Sequence, residues 1–304
     1  MKFDAVLIAG PTASGKSAVA LGLAEILGGV VINTDSMQVY RELRVLTARP
    51  SPEDEARAPH LLYGHVPVRE RYSAGRYFDD ATRALAQARA EGRLPIFAGG
   101  TGLYFSALTD GLSPIPPVPA ELRDVLRQRQ ADIGATEFYA EFAARDPETA
   151  ARLRANDTQR VLRAASVFEA TGRPLVQWQQ TQGKGALDGL QAARFVIAPP
   201  RDVLSARIDA RFRAMVENGG AEEAALLEGL DPALPAARAL GLRQLTAIHE
   251  GQLKLEAGIA AGQAETRQYA KRQTTWLRRF MRDWNWFEDQ GIGNIISQIT
   301  QKIV

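Results

Sequence analysis

The chain has 304 residues, of which 45% are hydrophobic and 24% are charged, a balance typical of globular proteins with one elaborated domain or two small ones. Because it contains no cysteine, disulfide bonds and thiolate metal sites are excluded. The net charge of +2 does not by itself indicate a nucleic-acid partner, although most basic residues are arginines, which suits phosphate contacts and equally an arginine-rich proteome.

Short apolar runs separated by helical patterns predict an open sheet. The first run ends at Ala9 and is too short for a signal peptide or a membrane span, so we expect a cytoplasmic protein with no membrane segment. Runs of this length are typical of buried parallel strands, which we predict at Phe3–Ala9, Val30–Thr34, Leu94–Ala98 and Arg194–Ala198. Helical patterns over Ser17–Leu27 and Asp79–Glu91 alternate with them. This alternation predicts an α/β fold, a parallel sheet with helices on both faces.

The character of the sequence changes at the proline-rich segment Ser113–Pro119, which cannot continue a helix or a central strand. Beyond it we predict helices near residues 120–131, 136–145, 147–155 and 158–171, with no strand among them. A glutamine- and glycine-rich loop, Gln177–Gly189, leads back out. We therefore predict an all-helical insertion domain at residues 114–189, carried on a core of residues 1–113 and 190–304. Helices near 201–218, 238–249 and 256–286 complete this core.

The segment between the first predicted strand and the first predicted helix matches the phosphate-binding pattern G-x-x-x-x-G-K-[ST]. Its glycines let successive backbone amides point at phosphate oxygens, and the helix directs its positive end toward the same place. Lys16 adds a positive charge and Ser17 can hold Mg²⁺. The pattern does not say which phosphate compound is bound. It predicts a P-loop NTPase-like sheet whose phosphate-binding residues are Gly10, Pro11, Thr12, Ala13, Ser14, Gly15, Lys16 and Ser17.

A carboxylate follows the second predicted strand. P-loop NTPases usually carry a Mg²⁺-associated aspartate at the end of another strand, but the third predicted strand is followed by Gly99-Gly100-Thr101. Asp35 follows the second strand instead, with Ser36, Met37 and Gln38 after it. Glutamine can pair with adenine and a carboxylate can accept from its exocyclic amine, so this segment is suited to binding an adenine edge. An ordinary polar loop at a strand end is the alternative.

The last long helical pattern carries a basic stripe. The side chains that share or flank this face are Arg267, Lys271, Arg272, Arg278, Arg279 and Arg282, with no acid between residues 267 and 282. On the opposite face we expect Tyr269, Trp276 and Phe280 to pack on the core. The basic face favours an RNA backbone, and a solvated helix face is the alternative.

Seven motifs occur in a fixed order along nearly the whole chain. They are Gly10–Ser17, Asp35–Tyr40, Thr47–Pro50, Pro59–Leu61, Gly99–Tyr104, Asn156–Val161 and Lys271–Arg278. From residue 6 to about 280, this ordered set resembles the tRNA dimethylallyltransferase family, also called tRNA isopentenyltransferases. The chain departs from the family pattern at Leu46, Arg49 and Leu242, where glycine, lysine and tyrosine are usual. It lacks the cysteine-containing zinc extension, which makes it similar to bacterial members.

The resemblance implies that the enzyme transfers the dimethylallyl group of dimethylallyl diphosphate to N6 of adenosine 37 in tRNAs that read codons beginning with U. It implies Mg²⁺ as cofactor and the tRNA anticodon stem-loop as partner, and we expect a monomer. Residues 10–17 would bind the diphosphate. The residues that would contact tRNA are Asp35, Ser36, Met37, Gln38, Thr101, Arg123, Gln159, Arg160, Val161, Leu162 and Arg163.

This chemistry assigns roles to individual residues. The adenine amine becomes more acidic as it attacks carbon, so a carboxylate at hydrogen-bond distance can accept its proton, and Asp35 is the candidate. The departing diphosphate develops negative charge, which Lys16 and a Mg²⁺ ion on Ser17 would stabilise. Thr101 and Arg211 are the further catalytic candidates.

Some alternatives remain open. Arg207 and Arg211 lie four residues apart on one predicted helix face, so either could meet the diphosphate, or both could simply be solvated. Two other functions also fit the motifs taken singly, a small-molecule kinase with Asp35 as base and an RNA-binding module without transfer chemistry.

Overall fold

The computed structural model describes residues 2–288 and 290–304. These residues form two compact units. One comprises the chain up to Thr109 and from Ala186 onward, and the other comprises Asp110–Gly185. The second unit begins and ends four residues before the segment 114–189 that was predicted from the sequence.

The first unit is built on a six-stranded parallel sheet in the order β3-β2-β4-β1-β5-β6. The strands are β1 (Ala5–Ala9), β2 (Gly29–Asn33), β3 (His60–Leu61), β4 (Leu94–Gly99), β5 (Ala192–Ile197) and β6 (Asn285–Phe287). Every residue of β1, β2 and β4 is buried, which explains why these strands are continuous apolar runs in the sequence. The predicted α/β fold is confirmed.

Helices complete this unit. They are α1 (Lys16–Leu27), α2 (Pro52–Arg57), α3 (Ala74–Ala90), α4 (Gly102–Thr109), α10 (Arg201–Glu217), α11 (Gly220–Ala225), α12 (Leu242–His249), α13 (Leu255–Phe280) and α14 (Ile292–Ile303), with a short 3-10 helix at Pro235–Arg238. One core cluster joins Val19 and Leu23 of α1 to Ile8 of β1 and to Ile295 and Ile299 of α14. The helix that follows the phosphate loop is thereby fixed against the sheet.

The second unit contains only helices within residues 110–185, as predicted. They are α5 (Ala120–Ile133), α6 (Ala135–Arg145), α7 (Pro147–Ala150), α8 (Thr158–Thr171) and α9 (Leu175–Trp178). Phe138 and Phe142 of α6 pack with Val161 and Ala164 of α8 in a separate small core. This unit therefore has a hydrophobic core of its own.

Some predicted element boundaries are wrong. The helix expected over 256–286 ends at Phe280, and Asn285–Phe287 instead pairs with β5. The spacing of Leu277, Met281 and Trp284, all buried, imitates a continuing helix face. The helix expected from 238 begins at Leu242, because Gly241 adopts a left-handed φ of 82° that interrupts it. The helix expected over 147–155 ends at Ala150.

The neighbouring strands β2, β4 and β1 are parallel, so their carboxyl ends lie side by side at the same end of the sheet. They approach so closely that a Cβ atom on Gly99 would lie 2.0 Å from the carbonyl oxygen of Thr34. Glycine is therefore required where β4 meets the segment that follows β2. Within residues 2–288 and 290–304, no helix is both long and apolar enough to span a membrane.

Candidate active site

The phosphate loop joins β1 to α1 at this end of the sheet. Ala13 and Gly15 both adopt positive φ, 62° and 93°, and α1 begins at Lys16 immediately afterwards. The N–H of Gly10 donates to the carbonyl of Gly99 at 3.2 Å, which ties the start of the loop to β4. A left-handed turn leading into a helix presents amides and the positive helix end to an anion.

Lys16 is the lysine of the phosphate loop, and both Arg211 and Asp35 affect its pKa. Its Nζ donates to the carbonyl oxygen of Pro11 at 3.2 Å, so the side chain folds back over the loop. Burial lowers the pKa of Lys16 to about 8, Arg211 acts in the same direction, and the negative charge of Asp35 opposes both. A buried ammonium of this kind gains strongly from an arriving anion.

Both arginines of the predicted helix face contact the loop from α10. Arg207 donates through Nη1 to the carbonyl oxygen of Ser14 at 3.2 Å, and Arg211 donates through Nη2 to Oγ1 of Thr12. Burial lowers the pKa of Arg211, and Asp35 opposes this shift. Arg211 is thus partly buried against the loop, whereas Arg207 contacts the loop and remains exposed.

Gln273 is a site residue to which the sequence assigned no role. Its Oε1 accepts from the N–H of Thr12 at 2.9 Å, and its Nε2 donates to the carbonyl of Gly100 at 2.9 Å. This buried carboxamide of α13 joins the phosphate loop to the segment after β4. The sequence did carry a signal, because Gln273 falls on the same helix face as the buried residues Ala270 and Leu277.

Asp35 follows β2 in a turn fixed by Asn33. The Oδ1 of Asn33 accepts from the N–H of Asp35 at 2.8 Å, and its Nδ2 donates to the carbonyl of Asp35 at 2.9 Å and to that of Leu62 at 3.1 Å. One carboxylate oxygen of Asp35 accepts from the N–H of Met37 at 2.9 Å. The N–H of Gly10 in the phosphate loop donates to the carbonyl of Gly99, and Gly99 in turn lies directly against Thr34, the residue before Asp35. The segment that carries Asp35 and the phosphate loop therefore belong to one site.

Thr101 holds the same segment from the other side. Its Oγ1 accepts from the N–H of Ser36 at 2.9 Å and donates to Oγ of Ser36 at 3.3 Å, and its own N–H donates to the carbonyl of Thr34 at 3.2 Å. The structure therefore brings Thr101, Asp35 and Ser36 together.

Gln38 has its amide nitrogen already engaged. Nε2 donates to the carbonyl oxygens of Thr47 at 2.9 Å and Ala48 at 3.0 Å. Because a primary amide has only two N–H groups, a contact with adenine that uses both the amide N–H and the oxygen would require one of these bonds to break. The side-chain oxygen Oε1 is therefore the group of Gln38 that remains available to contact an adenine.

The remaining predicted tRNA contacts lie in the helical unit. Gln159, Arg160 and Arg163 are exposed on α8. Partial burial and then the positive charge of Arg123 lower the pKa of Arg163, so two guanidinium groups lie near one another and favour an anion. Leu162 is partly buried against the small core.

Val161 was predicted to contact tRNA, but the structure leaves its side chain almost no accessible surface for such a contact. Val161 is only 1% exposed and packs in the core of the helical unit. On an α-helix, residues 160 and 163 can face outward only if residue 161 faces inward. Val161 therefore supports the exposed residues of α8 from beneath.

The basic helix differs from its prediction in which face is buried. The buried face of α13 carries Thr266, Ala270, Gln273 and Leu277, whereas Phe280 is 56% exposed. The face expected to pack on the core, with Tyr269, Trp276 and Phe280, is thus only partly covered, and α13 packs against α4, α10 and α12.

The charges of this helix are only partly free. Lys271 and Arg272 are exposed, Arg267 forms an ion pair with Asp209, and Arg278 lies 3.7 Å from a carboxylate oxygen of Glu288. Arg282 lies beyond the end of α13 and so does not continue the helical stripe.

Ser17 is the predicted metal ligand. It lies exposed in the first turn of α1, next to Lys16. Within residues 2–288 and 290–304, no three His, Asp or Glu side chains are grouped so that they could hold a metal ion. The chain thus offers a hydroxyl rather than an acidic cage, which fits Mg²⁺ held largely by the oxygens of a phosphate ligand and by water.

Comparison with known proteins agrees with this architecture. A family model described as IPP transferase matches residues 38–280, and one described as isopentenyl transferase matches residues 3–63. A tRNA dimethylallyltransferase of Rhodopseudomonas palustris is 53% identical over 93% of this chain and 88% of its own length. One of Azorhizobium caulinodans is 54% identical over 92% of this chain and 90% of its own length.

Solved structures show the same fold. A tRNA isopentenylpyrophosphate transferase of Bacillus halodurans superposes with a TM-score of 0.68 at 31% identity, covering 99% of this chain and 97% of that one. A eukaryotic dimethylallyltransferase acting on tRNA superposes with a TM-score of 0.80 over 98% of this chain and 77% of that one, and at 24% identity it shows the fold alone. From the family models and the relatives together, the chain belongs to the IPP transferase family, the family of the tRNA dimethylallyltransferases.

Proposed function

We propose that this enzyme transfers the dimethylallyl group of dimethylallyl diphosphate to N6 of adenosine 37 in tRNAs that read codons beginning with U. The observation that carries the proposal is the pairing of a cationic phosphate loop with a single carboxylate. The phosphate loop and the segment that carries Asp35 both meet Gly99 at the end of β4, and the negative charge of Asp35 raises the pKa of Lys16 and of Arg211 against the effect of burial. The group proposed to bind the donor and the group proposed to accept a proton therefore share one site. The relatives that match nearly the whole chain are tRNA dimethylallyltransferases.

The reaction needs positive charge on one side and a base on the other. The bond between C1 of the prenyl group and the bridging diphosphate oxygen breaks, and a bond between C1 and N6 of adenine forms. The electron pair of the broken bond leaves with the diphosphate, where Lys16, Arg207 and Arg211 stabilise the developing charge. The proton released from N6 passes to the carboxylate of Asp35.

Two residues keep these parts in place. Gln273 holds the amide of Thr12, so the loop does not have to reorganise as the diphosphate departs. Thr101 holds Ser36, and with it the turn that presents Asp35. Preorganisation of this kind is a large part of transition-state stabilisation.

A divalent cation fits beside the loop. We propose that Mg²⁺ is held by Oγ of Ser17 and by oxygens of the diphosphate. When bound, the ion neutralises negative charge on the leaving group. The position of the Ser17 hydroxyl next to Lys16, in the first turn of α1, supports this assignment.

The tRNA must present its base out of the stack, because N6 of a stacked adenine cannot reach the prenyl carbon. We propose that Asp35, Ser36 and Gln38 receive the extruded base. We propose that Lys271 and Arg272 of α13 contact the RNA backbone. Within the helical unit, taken by itself, we propose tRNA contacts at Arg123, Gln159, Arg160 and Arg163. We propose that the enzyme acts as a monomer in the cytoplasm. The monomer is supported by the loop, Asp35 and Thr101, which all come from one unit of one chain.

The test is direct. Unmodified tRNA is incubated with the enzyme, Mg²⁺ and dimethylallyl diphosphate, and the nucleosides are analysed by mass spectrometry for N6-dimethylallyladenosine. The expected product requires tRNA and donor, forms without ATP, and is lost with Lys16→Ala. Transfer of phosphate from ATP would identify a kinase, and tRNA binding without any product would identify an RNA-binding module.

A further inference from the structure

Glu223 of α11 holds a loop that lies far away in the sequence. One carboxylate oxygen accepts from the N–H of Arg44 at 2.9 Å and from that of Val45 at 2.7 Å, and the other accepts from the N–H of Leu46 at 2.8 Å. Three amide donors on one carboxylate form a charge-assisted cluster, which is stronger than neutral hydrogen bonds of the same number. The loop at residues 44–49, which we term the bracket loop, is therefore fixed from outside.

The bracket loop in turn fixes Gln38. The carbonyls of Thr47 and Ala48 both accept from Nε2 of Gln38. The orientation of the carboxamide is thereby determined, because the flipped amide would place its oxygen against two carbonyl oxygens. Arg49 closes the loop on the same segment by donating to the carbonyl of Tyr40 at 3.1 Å.

This orientation has a consequence for base selection. The exocyclic amine of adenine has two N–H groups, one of which can donate to Asp35 while the other donates to Oε1 of Gln38. Both groups at this end of the site are then acceptors. A keto oxygen, as in hypoxanthine or guanine, would face two acceptors and be repelled.

We infer that Glu223 is a positioning residue for adenine selection, which it enforces by holding the bracket loop and thereby the carboxamide of Gln38. The inference rests on the proposed placement of the target base against Asp35 and Gln38. Glu223 touches neither substrate in this scheme. It acts only through the loop.

The decisive variant is Glu223→Gln. Glutamine has the same length, but its amide group would turn an N–H toward at least one of the three backbone N–H donors of the loop. Glu222→Gln is the matched control, because Glu222 is the exposed neighbour on the same helix. Glu223→Asp serves as a second variant, which keeps the carboxylate and withdraws it by one methylene.

Base selection is measured as the ratio of affinities for two unmodified tRNAs, one with adenosine and one with inosine at the target position. In Glu223→Gln we expect this ratio to fall at least about fivefold, while KM for dimethylallyl diphosphate and the thermal midpoint stay near the wild-type values. Glu222→Gln should keep the wild-type ratio. Glu223→Asp should give an intermediate ratio, and it takes over the test if Glu223→Gln does not fold.

A double-mutant cycle tests whether Glu223 affects base selection through Gln38. If Glu223 acts through Gln38, then Glu223→Gln should lower the ratio much less when Gln38→Ala is already present. A folded Glu223→Gln enzyme with an unchanged ratio, or one whose effect simply adds to that of Gln38→Ala, would overturn the inference. A wild-type enzyme that transfers the prenyl group but does not prefer adenosine would also overturn it, and would leave the proposed function standing. A wild-type enzyme that transfers nothing refutes the function itself.

Discussion

Replacement of Asp35 by asparagine separates its two proposed roles. The structure indicates that the turn survives the change, because Asn33 binds the backbone of residue 35 and not its side chain. An asparagine oxygen can still accept from the N–H of Met37. The variant therefore loses the proton acceptor and the negative charge while it keeps the local fold.

Loss of the base should lower the rate of the chemical step by about 10²–10⁴-fold, equivalent to about 3–5 kcal/mol of transition-state stabilisation. Loss of the charge has a different effect. Asp35 raises the pKa of Lys16 against the effect of burial, so its removal lowers that pKa further below about 8. A smaller fraction of Lys16 is then protonated near neutral pH, and the donor should bind more weakly as the pH rises from 6.5 to 8.5.

The assay is single-turnover transfer at pH 6.5 with saturating tRNA and donor, where the protonation of Lys16 contributes least. KM for the donor is measured separately across the pH range. Asp79→Asn, which neutralises an exposed acid of α3, is the matched control and should leave both quantities unchanged. Near-normal single-turnover rates in Asp35→Asn would refute the role of Asp35 as proton acceptor. A donor KM that is unchanged across the pH range would refute the electrostatic effect of Asp35 on Lys16.

Three further changes test other parts of the site. Gln273→Leu keeps the side-chain size and removes two hydrogen bonds, so in steady-state kinetics KM for the donor should rise about 5–30-fold while tRNA affinity is unchanged. An unaltered KM would contradict the role of Gln273 in holding the phosphate loop. Removal of charge at Lys271 and Arg278 together should weaken tRNA binding and flatten its dependence on salt, and an identical salt slope would show a merely solvated face. Val161→Ala should destabilise the helical unit by about 1–3 kcal/mol in hydrogen exchange, whereas lost tRNA binding at normal stability would indicate a direct contact.

The parts of the site that are local in sequence could be predicted from it. The phosphate loop is a pattern of eight residues between a strand and a helix, and its chemistry follows from glycine conformations and one lysine. The place of Asp35 after a buried strand left an ordinary polar loop as the alternative, and its proposed role came from the family resemblance and the chemistry of the reaction. In the phosphate loop the residues that cooperate are neighbours along the chain, so their spacing carries the information.

The partners that hold these parts could not be predicted in the same way. Gln273 contacts Thr12 across 261 positions, and Glu223 contacts the bracket loop across 177 to 179. Residues so far apart in the sequence show no spacing pattern from which their contact could be predicted. Gln273 lies in the motif Lys271–Arg278 and is a polar side chain on a helix face that is otherwise buried, but neither feature indicates its partner. For Glu223 the sequence shows an ordinary acid beside another acid.

The position of the carboxylate explains why this P-loop site suits group transfer to an amine. In P-loop NTPases the acid that meets Mg²⁺ commonly ends a strand near the phosphates. Here β4 ends at Gly99, where the close approach of the Thr34 carbonyl leaves no space for any side chain. The acid comes from the segment after β2 instead, held by Thr101, with its charge facing Lys16 and Arg211. In the proposed reaction, a carboxylate in this position accepts the proton of the amine while the cations stabilise the departing diphosphate.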